Sequence, residues 1–321
     1  MSGMPSQTGH DPGLAVCLSS SFFGYYAHLG VLSAMEEMGL RPGRIAGASA
    51  GAMAGGLWAA GLRAEALGKI IYDFHFRRAF FDLGAFYRWP GIVTGLAGSG
   101  LLSGVRLRRY LARCIGTRQI EDLRSPRLEI AVANLTTKRN EIRTRGPLND
   151  FLIASCAMPV LFQPQRIDGE DFLDGGVANE TPFDHWLDDP SIHTIVVHRV
   201  HHASEIRGLP WETPGGILGA CHTVSSNELF DYRIHRAEEA GKKLILLETM
   251  HDHPGLLHGK RSRGFFAAGQ ETVRRQWSKP VTTPAPAAGG VTREAAEAVR
   301  YGRGRANRQP TIPCAGPGSA P

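Results

Sequence analysis

One serine lies among small residues on both sides. The stretch Gly47-Ala48-Ser49-Ala50-Gly51 matches the pattern Gly-x-Ser-x-Gly, with a predicted strand before it and a predicted helix after it. That setting is typical of a sharp turn that exposes a serine hydroxyl, because the glycines let strand and helix approach closely. The turn also places the hydroxyl at a helix N-terminus, which favours developing negative charge. The stretch therefore predicts Ser49 as a nucleophile, although a chain with 39 glycines can also contain the pattern by chance.

A serine hydroxyl becomes a good nucleophile only when a neighbouring group accepts its proton. The chain has 13 histidines, and none has a sequence context that marks it as the partner of a catalytic serine. The context favours surface or helix-packing roles for the histidines of the middle of the chain, which are His185, His193, His198, His201 and His202. A carboxylate is the stronger candidate. Asp174 is predicted at a strand end before Gly175-Gly176, although such a sequence can also be a simple turn.

The elements expected around these residues indicate an α/β fold. Residues 14–18 and 44–48 have the composition of buried strands, and each is followed by helical periodicity, which predicts a βαβα unit. Further strands are predicted at 128–133, 195–198 and 243–247, and a helix at 228–240. We expect one three-layer α/β/α domain with a mainly parallel central sheet over residues 14–275, after a flexible N-terminus 1–13 and before a disordered Pro/Ala/Gly/Arg-rich tail 276–321.

The composition limits the classes of function. A chain of 321 residues with 42% apolar residues can bury a large core, and its net charge of +6 permits attraction to anionic surfaces without choosing between them. No recognised nucleic-acid motif accompanies the basic residues, so no nucleic-acid partner is expected. The start of the chain lacks the features of a signal peptide, and no apolar run is long enough to span a bilayer. We therefore expect a cytoplasmic protein whose membrane contact, if any, is peripheral.

The five cysteines point to neither a metal centre nor a disulfide framework. Their number is odd, and they show none of the Cys-x-x-Cys or Cys/His spacings of metal sites. They are expected to be buried, reduced thiols. No metal ion and no cofactor is therefore predicted.

Four blocks of the sequence, in this order, resemble the patatin-like phospholipases. The blocks are GASAG at 47–51, GLLSGVRLRRYL at 100–111, ASCAMPVLFQP at 154–164 and DGGVANETP at 174–182. The resemblance implies a dyad without histidine, with Ser49 as nucleophile and Asp174 as base. It further implies hydrolysis of fatty-acyl ester bonds of lipids or phospholipids through an acyl-enzyme, without a metal.

One loop departs from that family's pattern. The family usually carries a Gly-Gly-Gly-x-Arg/Lys loop after the first strand, whose backbone N–H groups form the oxyanion hole. This chain has Ser-Ser-Ser-Phe-Phe-Gly at 19–24 instead. Backbone amides remain when glycine is replaced, so the amides near Ser20, Ser21 and Phe22 are the expected oxyanion donors. The alternative is a strand-to-helix turn in a relative without activity.

An aromatic segment offers a route to lipid. Residues 74–95 interleave rings and cations, namely Phe74, Phe76, Phe80, Phe81, Phe86, Tyr87 and Trp89 with Arg77, Arg78 and Arg88. Such a mixture suits a bilayer interface, where rings lie among headgroups and arginines meet phosphates. Aromatics at helical spacing equally favour core packing.

Three functions remain open at this point. The first is a patatin-like lipid acyl hydrolase. The second is a catalytically weak protein that keeps the fold as a lipid-binding or protein-binding module, which the loop at 19–24 favours. The third is a small-ester hydrolase with a Ser-His-Asp triad, which requires a histidine to reach Ser49.

Overall fold

The computed structural model describes residues 10–63, 70, 73–94, 98–202, 214–251 and 259–277. The strands of these residues are β1 Asp11–Leu18, β2 Pro42–Ala48, β3 Gly100–Leu102, β4 Arg127–Asn134, β5 Arg139–Arg143, β6 Val160–Phe162, β7 Gln165–Ile167, β8 Glu170–Asp174, β9 Thr194–His202 and β10 Lys243–His251. The α-helices are α1 Tyr25–Glu37, α2 Ala50–Ala59, α3 Phe74–Ala79, α4 Ala85–Thr94, α5 Val105–Ile115, α6 Leu148–Ser155, α7 Pro214–Glu239 and α8 Gly259–Gln276.

The main sheet has a parallel half and an antiparallel half. Its strand order is β10-β9-β1-β2-β4-β8-β7, and β5 also pairs with β4. The five strands from β10 to β4 pair in parallel, whereas β8 pairs antiparallel to β4 and β7 antiparallel to β8. Strand β1 lies between β2 and β9, so the strand order reverses at β1: the strands β2 and β4 lie on one side of it, and the later strands β9 and β10 lie on the other. In open α/β sheets, ligand sites lie beyond the carboxyl ends of the strands at such a point.

Strand β1 is apolar along its length because both of its faces are covered. Leu14, Val16 and Leu18 belong to a core with residues of α1, α2, α6 and α8, whereas Ala15 and Cys17 belong to a core with residues of α7 on the opposite face. Successive side chains of a strand point to opposite faces. A strand with helices on both sides therefore shows a continuous apolar run, which is typical of parallel sheets.

The structure confirms the predicted α/β/α class with its mainly parallel sheet. The expected strands at 128–133, 195–198 and 243–247 lie within β4, β9 and β10, and the expected helix at 228–240 coincides with the second half of α7. The tail from 278 onwards and residues 1–9 lie outside the described residues.

The aromatic segment divides into a buried part and an exposed part. Phe76 of α3 is fully buried, and Phe80 packs against the same core. Helix α4 buries none of its side chains, and Phe86, Tyr87 and Trp89 are 75%, 89% and 53% exposed. Phe76 of α3 therefore belongs to the core, whereas the rings of α4 face solvent.

The described cysteines are free, and they differ in burial. Cys17 is buried, Cys114 and Cys156 are partly buried, and Cys221 is exposed. The expectation of burial is wrong for Cys221, because it lies on the solvent-facing part of α7. Cys314 lies outside the described residues. None of the described helices combines the length and apolar character needed to cross a bilayer.

Candidate active site

Ser49 is the residue that joins β2 to α2, in a backbone conformation that few side chains adopt. Its φ is 52° and its ψ is −117°. The glycines of the motif have steric reasons: a Cβ on Gly47 would lie 2.4 Å from the carbonyl carbon of Gly51, and a Cβ on Gly51 would lie 2.1 Å from the carbonyl oxygen of Leu18. The strand, the turn and the helix therefore approach too closely for larger residues, as expected for a nucleophile elbow.

Two residues at the end of α6 hold both sides of the Ser49 backbone. The Ser49 N–H donates to Ser155 Oγ at 2.9 Å, and the Ser155 hydroxyl donates to the Ala131 carbonyl of β4 at 2.7 Å. The Cys156 thiol donates to the Ser49 carbonyl at 3.2 Å. We call Ser155 and Cys156 the elbow clamp. Strained backbone persists where the surroundings hold it in place, and the clamp supplies such surroundings.

The structure brings Ser49 and Asp174 together. The Ser49 hydroxyl donates to Asp174 Oδ2 at 2.7 Å, although 125 residues separate them. Asp174 reaches this position because β8 runs antiparallel beside β4 and pairs Asp174 with Val132, next to the end of β2. The turn Gly175–Val177 then directs the Gly176 N–H to Asp174 Oδ1 at 2.7 Å. One carboxylate oxygen is thus held by the backbone and the other faces the serine.

Burial gives Asp174 the basicity of a proton acceptor. The residue is only 5% exposed. Removal from water disfavours the ionised carboxylate and raises the pKa of Asp174 to about 7, although hydrogen bonds from Ser49 and Gly176 favour the ionised form. A carboxylate with a pKa near neutrality can take a proton from a hydroxyl and return it within one catalytic cycle.

The loop at 19–24 lies against the turn that follows Asp174. The Ser20 N–H donates to the Glu180 carbonyl at 2.8 Å, and a Cβ on Gly176 would lie 2.2 Å from Ser20 Oγ. The sequence suggests three amides as oxyanion donors, and one of them, that of Ser20, thus already donates a hydrogen bond within the protein. Phe23 has a φ of 55°, the left-handed conformation that a glycine-rich loop would adopt easily.

A buried polar chain supports this loop from below. His28 Nε2 lies 2.9 Å from the Ser19 carbonyl, which can only accept, so this nitrogen carries a hydrogen. His28 Nδ1 lies 2.8 Å from His198 Nδ1, and His198 Nε2 lies 2.9 Å from the Thr249 hydroxyl. Both imidazoles are fully buried. Burial lowers the pKa of His28 to about 3 and that of His198 well below its usual value, so both rings are neutral.

The remaining histidines of the sequence analysis have partners other than Ser49. His185 contacts Glu129, His193 lies next to Thr194, and His201 pairs with Glu248. The side chain of His202 lies outside the described residues. Among the hydrogen bonds described for the Ser49 side chain, Asp174 is the partner and no histidine takes part.

Sequence reasoning missed the elbow clamp, the histidine pair and Glu180. Ser155 and Cys156 lie within the block ASCAMPVLFQP, and Glu180 lies within DGGVANETP, so the blocks pointed to their neighbourhood without giving roles. The histidine pair carried no signal, because His28 and His198 are 170 residues apart and come together only where α1 packs on β9.

Comparisons with known proteins identify the family of this chain. The family model "Patatin-like phospholipase" matches residues 16–186, which include Ser49, the elbow clamp and Asp174. An NTE family protein of Mycobacterium tuberculosis is 29% identical over 181 residues, which cover 53% of this chain and 44% of that protein. Lysophospholipase NTE1 of Mycosarcoma maydis is 28% identical over 157 residues, which cover 49% of this chain and 8% of that protein.

Two further comparisons concern an animal protein and a solved structure. Neuropathy target esterase sws of Drosophila melanogaster is 26% identical over 177 residues, which cover 53% of this chain and 12% of that protein. The structure of VipD from Legionella pneumophila aligns with 83% of this chain and 67% of that chain at 16% identity and a TM-score of 0.42. The chain thus spans less than half the length of the curated relatives described here.

Proposed function

The chain belongs to the patatin-like phospholipase family, and we propose that it hydrolyses fatty-acyl ester bonds of lipids or phospholipids with Ser49 as nucleophile and Asp174 as base. The observation that carries the proposal is the 2.7 Å hydrogen bond from the Ser49 hydroxyl to a buried carboxylate. This geometry favours the dyad over a Ser-His-Asp triad, because the position next to the hydroxyl that a triad gives to histidine is taken by Asp174.

The proposed reaction is acyl transfer in two steps. Asp174 takes the proton of Ser49 while Oγ attacks the ester carbonyl carbon, and the proton then passes to the leaving alcohol oxygen as the ester C–O bond breaks. The products of this step are an acyl-serine and the free alcohol. A water molecule next gives a proton to Asp174 and attacks the acyl-serine, and the proton returns to Ser49 Oγ as the fatty acid leaves.

The oxyanion that forms in each step needs hydrogen-bond donors. We assign this role to the amides of Ser21 and Phe22, because the Ser20 N–H already donates to Glu180. The N-terminus of α2 adds a favourable dipole at the same place. Removal of one such donor in other enzymes costs about 10²- to 10³-fold in rate, so the conformation of this loop determines how active the protein is.

The relatives narrow the substrate class within this proposal. One of them is named a lysophospholipase and another an esterase. An ester of a single fatty acid with a phosphate-bearing alcohol is therefore the natural first substrate to test.

The decisive experiment measures hydrolysis of p-nitrophenyl esters of increasing chain length and of lysophosphatidylcholine. We expect Ser49→Ala and Asp174→Asn each to lower kcat/KM by at least about 10³-fold, because each removes one member of a unit. Ser191→Ala, at an exposed serine of a different loop, is the matched control and should behave as the wild type. Equal turnover by the wild type and Ser49→Ala would refute the proposal.

The binding-module alternative is favoured by one observation. The loop at 19–24 has lost the glycines that suit an oxyanion hole, and one of its amides is engaged by Glu180. If the protein binds lysophosphatidylcholine but the wild type and Ser49→Ala are equally inactive, this alternative replaces the hydrolase.

We also propose that α4 makes peripheral contact with lipid. Its exposed rings are Phe86, Tyr87 and Trp89. The basic helix α5 contacts the segment before α4, where Arg106 donates to the Phe81 carbonyl. Exposed aromatics beside cations favour binding to an anionic interface. Arg109 is a second exposed arginine of α5.

Vesicle co-sedimentation tests this contact. The triple variant Phe86→Ser/Tyr87→Ser/Trp89→Ser should lose binding to vesicles that contain phosphatidylglycerol. The variant Ile217→Ser/Leu218→Ser, which changes exposed apolar residues of α7, is the control and should keep it. Unchanged binding of the triple variant would contradict a role of α4.

A further inference from the structure

A second pair of ionisable side chains lies beside the dyad. Glu180 follows the turn that begins at Asp174, and its carboxylate lies 3.3 Å from His222 Nε2 of α7. Ser226, one helical turn further along α7, also hydrogen-bonds the Glu180 side chain. The Glu180 side chain is 28% exposed and that of His222 is 46% exposed, so the pair lies between the buried dyad and solvent.

Backbone contacts place this pair next to Asp174. The Glu180 carbonyl accepts the Ser20 N–H at 2.8 Å, and Gly176, which packs against Ser20 Oγ, donates its N–H to Asp174 Oδ1 at 2.7 Å. Within the described residues, no arginine or lysine forms an ion pair with Asp174, and its charged neighbours are Glu180 and His222. The third ionisable neighbour is Cys156. Burial and the Asp174 charge raise the pKa of the Cys156 thiol well above its usual value, so the thiol is neutral and adds no charge.

Each member of the pair favours the charged form of the other. The hydrogen bond and charge of Glu180, helped by Asp174, outweigh partial burial and raise the pKa of His222. Burial alone would raise the pKa of Glu180, but hydrogen bonds from His222 and Ser226 and the charges of His222 and Arg199 outweigh burial and lower it. Both shifts favour an ion pair between His222 and Glu180.

The two charges have opposite effects on the dyad, and Glu180 adds a backbone contact. A negative neighbour favours the protonated form of a carboxyl group, and a positive neighbour favours the ionised form. The Glu180 carbonyl also accepts the Ser20 N–H, so the residue that carries the negative charge holds the loop at 19–24. A change in the charge of Glu180 or His222 therefore acts on Asp174 through the electrostatic potential and not through the hydrogen bond between Ser49 and Asp174.

We propose that Glu180 and His222 are positioning residues that set the pH range of catalysis, with His222 holding Asp174 in its ionised, proton-accepting form and Glu180 opposing this effect. This inference rests on the proposed dyad, because it assigns a regulator to the same carboxylate. It makes a directional prediction that a purely structural role would not make: removal of each partner should move the acid limb of the pH profile in the opposite direction.

The test is the pH dependence of kcat/KM with p-nitrophenyl butyrate. Activity falls in acid as Asp174 becomes protonated. Removal of the positive charge in His222→Gln should therefore move the acid limb to higher pH, and removal of the negative charge in Glu180→Gln should move it to lower pH, each by about half a pH unit or more. His222→Lys restores a positive charge and should return the limb to its wild-type position.

A matched control uses the other end of the same helix. His235 and Glu238 of α7 form a similar exposed pair, with 3.7 Å between His235 Nδ1 and Glu238 Oε2, and they lie more than three helical turns beyond His222. His235→Gln should leave the acid limb unchanged. Shifts of Glu180→Gln and His222→Gln in the same direction, or no shift in either, would overturn the inference. Loss of all activity at every pH in His222→Gln would also overturn it, because His222 would then be the base itself.

A stability measurement separates this inference from the proposed function. The effect of Asp174→Asn on the free energy of unfolding changes with pH between the raised pKa of Asp174 in the folded protein and its lower pKa in the unfolded chain, whether or not the protein is an enzyme. The midpoint of this change lies halfway between the two pKa values. This midpoint should lie at higher pH in the His222→Gln background than in the wild-type background. If hydrolysis does not depend on Ser49, the proposed function fails and the position of this midpoint alone decides the inference.

Discussion

The turn after β2 and the loop after β1 lie side by side at the carboxyl edge of the sheet, and they keep their conformations by different means. Both contain a residue other than glycine at positive φ, 52° at Ser49 and 55° at Phe23. The turn at Ser49 has small residues around it and a partly buried hydrogen bond on each side of Ser49: its N–H donates to Ser155 Oγ, and its carbonyl accepts from the Cys156 thiol. The loop at Phe23 is instead held by rings and by contacts of its first two residues.

The difference follows from what each segment must do. The Ser49 hydroxyl has to stay within 2.7 Å of Asp174, so its backbone is fixed directly. The loop is fixed at its beginning, where the Ser19 carbonyl faces His28 and the Ser20 N–H donates to Glu180. Its middle is packed by aromatic contacts, such as that of Phe23 with Phe80, whose ring centroids are 6.1 Å apart. A rigid nucleophile thus lies beside a loop whose central amides are held by packing.

Among the changes that test the contrast between these two segments, the largest effect is expected when the elbow clamp is broken. Ser155→Ala removes the acceptor of the Ser49 N–H and the donor to the Ala131 carbonyl, and an unsatisfied buried polar group costs about 1–3 kcal/mol. A nucleophile that moves by a fraction of an ångström loses rate, so kcat/KM should fall by about 10- to 100-fold. Kinetics and denaturant unfolding measure both effects.

Ser33→Ala, at a buried serine of α1 away from the site, is the control for the loss of a buried hydroxyl. It should keep the wild-type kcat/KM. A Ser155→Ala variant with wild-type kcat/KM would show that the turn keeps its conformation without the clamp, and the contrast between the two segments would then be wrong.

An effect of medium size is expected on the free energy of unfolding in acid, because His28, which contacts the loop at 19–24, is neutral in the folded protein. The pKa of His28 is about 3 in the folded protein and about 6.5 when unfolded, so the unfolded chain binds the proton first. Stability from neutral His28 is fully present above about pH 6.5 and is lost as pH falls towards the folded pKa, by about 2 kcal/mol at about pH 5. Asp174 opposes this trend, because its raised pKa stabilises the folded state in acid.

Comparison of the wild type with His28→Gln cancels the contribution of Asp174, because both proteins contain that residue. His28→Gln should abolish this part of the pH dependence, so the stability difference between wild type and variant should shrink from about pH 7 to about pH 5. His193→Gln, at an exposed histidine, should leave the pH dependence as in the wild type. Parallel curves for wild type and His28→Gln in urea unfolding would mean that His28 is not neutral in the fold.

The smallest effect concerns the strain at Phe23. Both Phe23→Gly and Phe23→Ala lose the ring, but only glycine adopts a positive φ without cost, so the glycine variant should be more stable by about 1 kcal/mol. At Phe22, whose φ is not positive, the order should reverse, with alanine the more stable by about 0.5–1 kcal/mol. Thermal unfolding of the four variants gives both differences. The same order at both positions would contradict the strain at Phe23.

Much of the fold could be predicted because its signals are local. The apolar strands, the helices after them and the glycines around Ser49 each lie within a short window, where burial on both faces and steric fit leave a pattern. Asp168-Gly169 is such a case: both residues have positive φ, at 51° and 87°, in the hairpin between β7 and β8, and an Asp-Gly pair between two strands is a local signal for such a turn. The division of the aromatic segment could not be predicted, because aromatic residues of one continuous stretch differ in burial: Phe76 of α3 is buried, whereas the rings of α4 point to solvent.

The sequence by itself determined that a serine stands at a tight strand-to-helix turn, that an aspartate precedes two glycines, and that a mainly parallel sheet joins them. Only the tertiary structure decided which groups meet at the sheet edge: the carboxylate at the serine, the elbow clamp behind it, the neutral histidine pair below the loop, and Glu180 with His222 beside Asp174. The physical reason is that hydrogen bonds and fields act over a few ångströms in space. Sequence patterns record the local backbone of each residue but not its neighbours across the sheet.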